Sequence, residues 1–194
     1  MSLNSNAGLP TPWAEFLEEL DALLLGQAQL HCIGGFVISL FYGLPRPTGD
    51  IDYNSVSSVY SANDIQEMAG AESALARKYK VHLHYVPVNS IPEDYEARLV
   101  EMFPGRFKNL HLYMPDPYDL ILSKLERNSS KDRDDVEYLA RVLHLNAQLL
   151  RERYEKELRP ILVNESRHDL TLRLWIDACF QPANEPESGC GLKH

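Results

Sequence analysis

Asp50 and Asp52 stand two residues apart in Thr48-Gly49-Asp50-Ile51-Asp52-Tyr53. In an extended segment that spacing turns both carboxylates to one face and Ile51 and Tyr53 to the other, so two hard oxygen ligands can share one Mg²⁺ or a metal pair. Aspartate is disfavoured inside a strand, and two on one face need solvent or a cation to compensate them. Upstream, Gly34-Gly35 follows Gln29-Leu30-His31-Cys32-Ile33, which reads as a short buried strand, and opens a further apolar run. A glycine pair at a strand-to-helix turn exposes backbone N–H groups at the positive end of a helix dipole, where phosphate is favoured. Taken alone, the glycines read equally as a plain turn or a close-packing site. The two motifs in this order describe a nucleotide-and-metal site.

Holding those groups requires a strand, a helix and a second strand. Thr11-Pro12 supplies an N-cap and a first-turn proline, after which Trp13, Phe16, Leu17, Leu20, Leu23 and Leu24 recur at helical spacing. A strand ending at Ile33, a helix over 36–42, a bend at Pro45 and Pro47 and a strand from Asp50 follow, on the scale of an α/β unit. Residues 64–79 read as a helix broken near Gly70. Val81 to Val86 alternates with period two, with Val81, Leu83 and Tyr85 inward. Residues 92–102 predict a short helix and 110–114 a strand. From Pro117 the pattern is helical, over 117–127, 131–144, 147–158 and 166–180. The predicted fold class is α+β, a small mixed α/β sheet flanked by helices and followed by a helical region. Its expected divisions are a tail at 1–10, a core at 11–114, helices at 115–180 and a Gly/Pro/Glu-rich tail at 181–194.

With 194 residues, 44% of them apolar, the chain can bury one generous core. A net charge of −9 argues against a surface dedicated to coating nucleic acid and leaves room for a local basic groove. Cys32, Cys179 and Cys190 form no CxxC pair, and no basic stretch with an apolar core opens the sequence. Both observations predict a reduced, cytoplasmic protein. Apolar windows such as 34–42 fall far short of the roughly 20 residues of a membrane helix, so no membrane partner is expected.

Gly34, Gly35, Asp50 and Asp52 match the signature of the nucleotidyltransferase superfamily to which DNA polymerase beta belongs, and the chain resembles it: a glycine turn, then a strand bearing Asp-x-Asp. Arg46-Pro47-Thr48 before the aspartates resembles the Arg-x-Thr variant of the toxin-antitoxin and abortive-infection branch. The resemblance continues through Asp119 to Arg127, with Lys124, and through Lys131-Asp132-Arg133-Asp134-Asp135-Val136. It implies Mg²⁺, alternatively Mn²⁺, held by Asp50 and Asp52, and NTP phosphates on Gly34-Gly35. It further implies that Arg46 and Thr48 brace the metal loop or contact phosphate, and that Lys124, Asp132 and Asp135 join the chemistry. The implied reaction passes a nucleoside monophosphate to a hydroxyl of RNA or protein, with a cognate toxin or antitoxin as a partner.

The residues bear on this independently. Val136, Leu139, Ala140 and Leu143 form the buried stripe of one helix, and a 100° step puts Asp132 and Asp135 on the same side, while Asp134, Tyr138 and Arg141 point elsewhere. Ser129 to Asp132 also spells a capping box, a purely structural reason for that acid. Lys124 and Arg127, three apart, share one helical face and suit a triphosphate or polynucleotide backbone, or simply solvent. Many active relatives carry a third carboxylate on the strand after Asp-x-Asp. Here that strand reads Val81-His82-Leu83-His84-Tyr85-Val86, without an acid. This departure supports a second reading, a binding or antitoxin protein of the same fold without chemistry. His82 and His84 share a strand face and suit either solvent or a transition metal, and Cys32 reads as a small core residue.

Overall fold

Trp13, Phe16, Leu17 and Leu20 are all buried along α1 (Trp13–Leu23), as their spacing predicts. Fully burying side chains such as Phe16, Leu17 and Leu20 contributes roughly 1.5–3 kcal/mol each. The cap differs from expectation. Pro12 itself occupies the N-cap position without a side-chain hydrogen bond, and the Thr11 hydroxyl donates to Glu15 Oε1 at 3.0 Å. In the computed structural model, residues 8–87 and 90–180 are described, so the expected 181–194 tail and most of the 1–10 tail lie outside the described residues.

The chain continues through β1 (Ala28–Ile33), α2 (Gly34–Tyr42), β2 (Asp50–Ser58), α3 (Ala62–Ala69), α4 (Ala74–Tyr79) and β3 (His82–Tyr85). A 3₁₀ turn at Glu93–Arg98, β4 (Val100–Met102) and β5 (Leu110–Met114) complete the sheet. Strand order is β3-β2-β1-β5-β4. β1 pairs antiparallel with β2 and parallel with β5, β3 lies parallel to β2, and β4 is an antiparallel edge. The fold is mixed α+β, a five-stranded sheet flanked by helices, as the sequence predicts.

β2 carries the period-two alternation that its sequence requires. Ile51 and Tyr53 are fully buried while Asp50 and Asp52 are half-buried on the other face. Opposite them, Cys32 pairs with Tyr53 but His31 pairs with Ser55, so Asn54 is an extra residue in β2 and the register shifts there. The bulge lets Val56 return to the core side, opposite Leu30, and keeps both halves of the strand facing correctly.

The back of the molecule is helical: α5 (Pro117–Leu122), α6 (Ser130–Leu143), α7 (Ala147–Arg153) continued by a π-helical turn at Tyr154–Leu158, and α8 (Glu165–Cys179). One hydrophobic cluster runs from Trp13 through Leu30 and Leu112 to Val136 and Trp175. α6 starts with the capping box that Ser129 and Asp132 spell, buries Val136, Leu139 and Ala140, and packs against α2, α5 and α8. Tyr138, expected to point away, is half-buried, and its hydroxyl donates to Tyr42 O at 2.8 Å.

Two predicted helices are corrected. Residues 92–102 form the 3₁₀ turn and then β4, because Met102 and its neighbours are claimed by β5 and Arg98 is held by Asp119 and Glu157. The helix predicted over 117–127 ends at Leu122. Beyond it, i→i+3 bonds from Lys124 to Ile121 and from Leu125 to Leu122 tighten the path into turns, from which Lys124 and Arg127 still converge on Asp132.

Candidate active site

Gly34 begins α2 with φ +78°, a left-handed value that suits glycine. A Cβ there would lie 2.5 Å from Asp52 Oδ2, so only glycine leaves room for that carboxylate against the helix start. Ile33, the residue before it, is the register partner of Asp52, which explains the approach: β1 delivers the turn beside the aspartate strand. Gly35 makes no such demand, since the nearest atom to its Cβ position is Arg46 Nη2 at 3.4 Å.

Asp50 Oδ1 accepts from Thr48 Oγ1 at 2.8 Å, which fixes the loop entering β2. Asp52 Oδ1 lies 2.8 Å from His84 Nδ1. Parallel pairing sets this contact, for β3 places His84 opposite Asp52 and His82 opposite Asp50. Asp50, Asp52 and His84 each offer a ligand atom, and these lie within 4.8 Å of one another. A donor set of two carboxylates and an imidazole, with space kept open by Gly34, fits a divalent cation.

A row of alternating charges faces them. Arg46 Nη2 lies 2.7 Å from Asp135 Oδ1, Lys124 Nζ lies 2.7 Å from Asp135 Oδ2 and 3.5 Å from Asp132 Oδ1, and Arg127 grips Asp132 through Nε at 2.8 Å and Nη2 at 2.6 Å. Asp132 and Asp135 are buried, as the facing argument for α6 predicts, and so is Lys124, whereas the Arg127 side chain is 66% exposed. Burial raises the Asp132 carboxyl, but hydrogen bonds from Arg127 and Ser129 and the charge of Lys124 outweigh it and hold the group well below the usual carboxylate range. The same bond to Asp132 raises the Arg127 guanidinium. Ser39, which fits no nucleophile pattern, donates to Arg46 O at 2.8 Å and ties the arginine loop to α2.

Gly34, Asp52, Lys124, Arg127 and Asp132 line one cavity of ≈ 150 Å³, with Ser123, Glu126, Ile33 and Val86. Gly35, Arg46, Thr48, Asp50 and Asp135 adjoin it through the contacts above, so all ten residues singled out in the sequence gather at one place. Sequence reasoning missed the pairing of His84 with Asp52, for which the shared period-two face of His82 and His84 was the available signal. It also missed Glu126, whose Oε2 lies 2.8 Å from the buried His168 Nε2. Burial, together with the nearby Asp52, pushes the Cys32 thiol up, in keeping with a core residue. A larger groove of ≈ 480 Å³ lies beside α8, where Arg159 is already paired with Asp169 and Glu165.

Residues 14–178 match a family described as "Nucleotidyltransferase of unknown function (DUF6036)". No curated protein and no solved structure matches the chain. No helix among the described residues is long and apolar enough to cross a membrane.

Proposed function

We propose, from the premise that the chain belongs to the DUF6036 family of nucleotidyltransferases, that it transfers a nucleoside monophosphate from an NTP to a hydroxyl of an RNA or protein acceptor. The observation that carries this reading is the convergence of Asp50, Asp52 and His84 beside the Gly34 turn, facing the Lys124 row. A toxin-antitoxin or phage-defence setting, with a cognate partner, is the context in which the Arg46-x-Thr48 variant and the Lys124 to Asp135 segment fit.

Asp50 and Asp52 are the residues that would hold Mg²⁺ or Mn²⁺. A divalent cation held there would supply charge neutralisation at the triphosphate. The N–H groups at the start of α2 receive the β and γ phosphates. The acceptor oxygen forms a bond to the α-phosphorus as the bond to the β-phosphate oxygen breaks, the hydroxyl proton passes to solvent, and pyrophosphate leaves. Lys124 and Arg127 offset the charge on the departing group. Asp132 and Asp135 orient Lys124, and Arg46 and Thr48 brace the loop that carries Asp50.

The test is incubation with each α-labelled NTP, total RNA and cell extract, with Mg²⁺ or Mn²⁺. Label is expected to reach a macromolecular acceptor and to be lost in the Asp50→Asn/Asp52→Asn double variant. NTP binding without transfer to any acceptor would favour the second reading, a binding or antitoxin protein, which the lack of an acid on β3 supports. No binding at all, or binding unchanged in the double variant, removes the site.

A further inference from the structure

We propose that His84 is the third ligand of the Asp50/Asp52 metal site and that its nitrogen makes the site prefer Mn²⁺ to Mg²⁺. This rests on the nucleotidyltransferase reading of the site and goes beyond it by assigning the position left without an acid on β3.

The register carries the first part. β3 lies parallel to β2 with His84 opposite Asp52, and Leu83 is fully buried on the far face, so the period of two turns His84 to the aspartate side. His82 stands at the equivalent place beside Asp50, yet the described residues whose ligand atoms gather within 4.8 Å are Asp50, Asp52 and His84. The distance carries the second part. Neighbouring ligands on an octahedral ion with bonds of about 2.1 Å are about 3.0 Å apart. Asp52 Oδ1 and His84 Nδ1 are 2.8 Å apart, so an ion can replace the shared proton without either strand moving. The His84 side chain is 55% exposed, which leaves room for the remaining water ligands.

The donor type carries the preference. Mg²⁺ takes oxygen ligands and gives up its waters reluctantly, while divalent first-row transition ions accept an imidazole nitrogen more readily than Mg²⁺ does, Mn²⁺ being the hardest of them. A third aspartate would make the site all-oxygen, and histidine biases it away from Mg²⁺ toward a transition ion such as Mn²⁺. The bias comes from one side chain at a half-exposed position, so it can be exchanged without disturbing the core.

The full-length protein, stripped of metal, is titrated with Mn²⁺ alone and in competition with Mg²⁺, and the Mn²⁺ complex is examined by pulsed EPR. The wild type is expected to show coupling to a directly bound imidazole nitrogen. His84→Asp is expected to lose that coupling and to lower the Mn²⁺-over-Mg²⁺ affinity ratio by about 10-fold. His82→Ala is expected to change neither, and circular dichroism checks that each variant folds. Nitrogen coupling absent from the wild type, or retained in His84→Asp, overturns the proposal, as does an unchanged ratio. The Asp50→Asn and Asp52→Asn variants separate the two readings. If they abolish Mn²⁺ binding while the His84 variants leave the ratio unmoved, only the present proposal fails. If they leave binding intact, or the wild type binds no Mn²⁺, the aspartate site itself falls and His84 with it.

Discussion

Gly34→Ala sets a methyl group where the Asp52 carboxylate already lies. The new Cβ would stand 2.5 Å from Asp52 Oδ2, against an ordinary contact of about 3.5 Å, so the carboxylate must swing by roughly 1 Å. The backbone at φ +78° adds a left-handed penalty of about 1–2 kcal/mol for any residue with a Cβ. For a chain of this size each kcal/mol shifts Tm by about 2–4 °C, so a fall of about 2–8 °C is expected. Displacing the carboxylate proposed to hold the metal should also weaken Mn²⁺ binding by about 10-fold to 100-fold. Gly35→Ala is the matched control. Its Cβ would meet only the tip of the Arg46 side chain, at 3.4 Å, and alanine in a helix gains up to about 1 kcal/mol over glycine. Thermal unfolding and Mn²⁺ titration of the two variants side by side test the reasoning. A Gly34→Ala protein that melts and binds metal like the wild type would refute it, and so would equal damage from Gly35→Ala.

Lys124→Ala should destabilise the protein by about 3 kcal/mol or somewhat less, since it strips a buried cation from Asp132 and Asp135 while Arg127 and Arg46 remain to partner them. Urea unfolding measures it, and an unchanged midpoint would mean that the row is not structural. Asp132 has its folded pKa held below the unfolded value, so its contribution to stability is fully present above the ordinary carboxylate pKa of about 4 and is lost as pH falls through the folded value. Asp132→Asn should therefore be less stable than the wild type at neutral pH and converge on it in acid. Melting temperatures recorded from neutral pH down to about pH 2 would show parallel curves if Asp132 carried no such shift, and curves that part in acid if its sign were reversed.

What the sequence discloses and what it hides divide along the range of the interactions. The Asp50/Asp52 alternation, the Ser129 capping box and the inward facing of Asp132 and Asp135 depend on near neighbours, and each is readable from a few consecutive residues. His84 beside Asp52 depends on which strand lies next to β2 and in what register, and local pattern carries neither. β4 is three residues long and exists because β5 pairs with it, so a helical spacing in 92–102 reads more strongly than the strand. Lys124 leaves the helix early because burial against two α6 carboxylates outweighs continuing the α5 ladder, a tertiary override of helix propensity. The Arg46 to Asp135 contact likewise joins residues far apart in the chain.

The extra residue at Asn54 bears on how this chain can change length. Side chains upstream of it keep the aspartates toward the cleft, and side chains downstream keep Val56 on the core side, because one unpaired residue absorbs the mismatch between the two halves. Deleting Asn54, or inserting a residue between Asp52 and Asn54, changes the strand's parity and forces one half to exchange its faces. Insertions and deletions that loops elsewhere can absorb are therefore closed to this stretch, apart from changes that preserve parity. In a sequence descended from this one the parity of the count from Asp52 to Val56 stays locked, whatever else in the chain changes length.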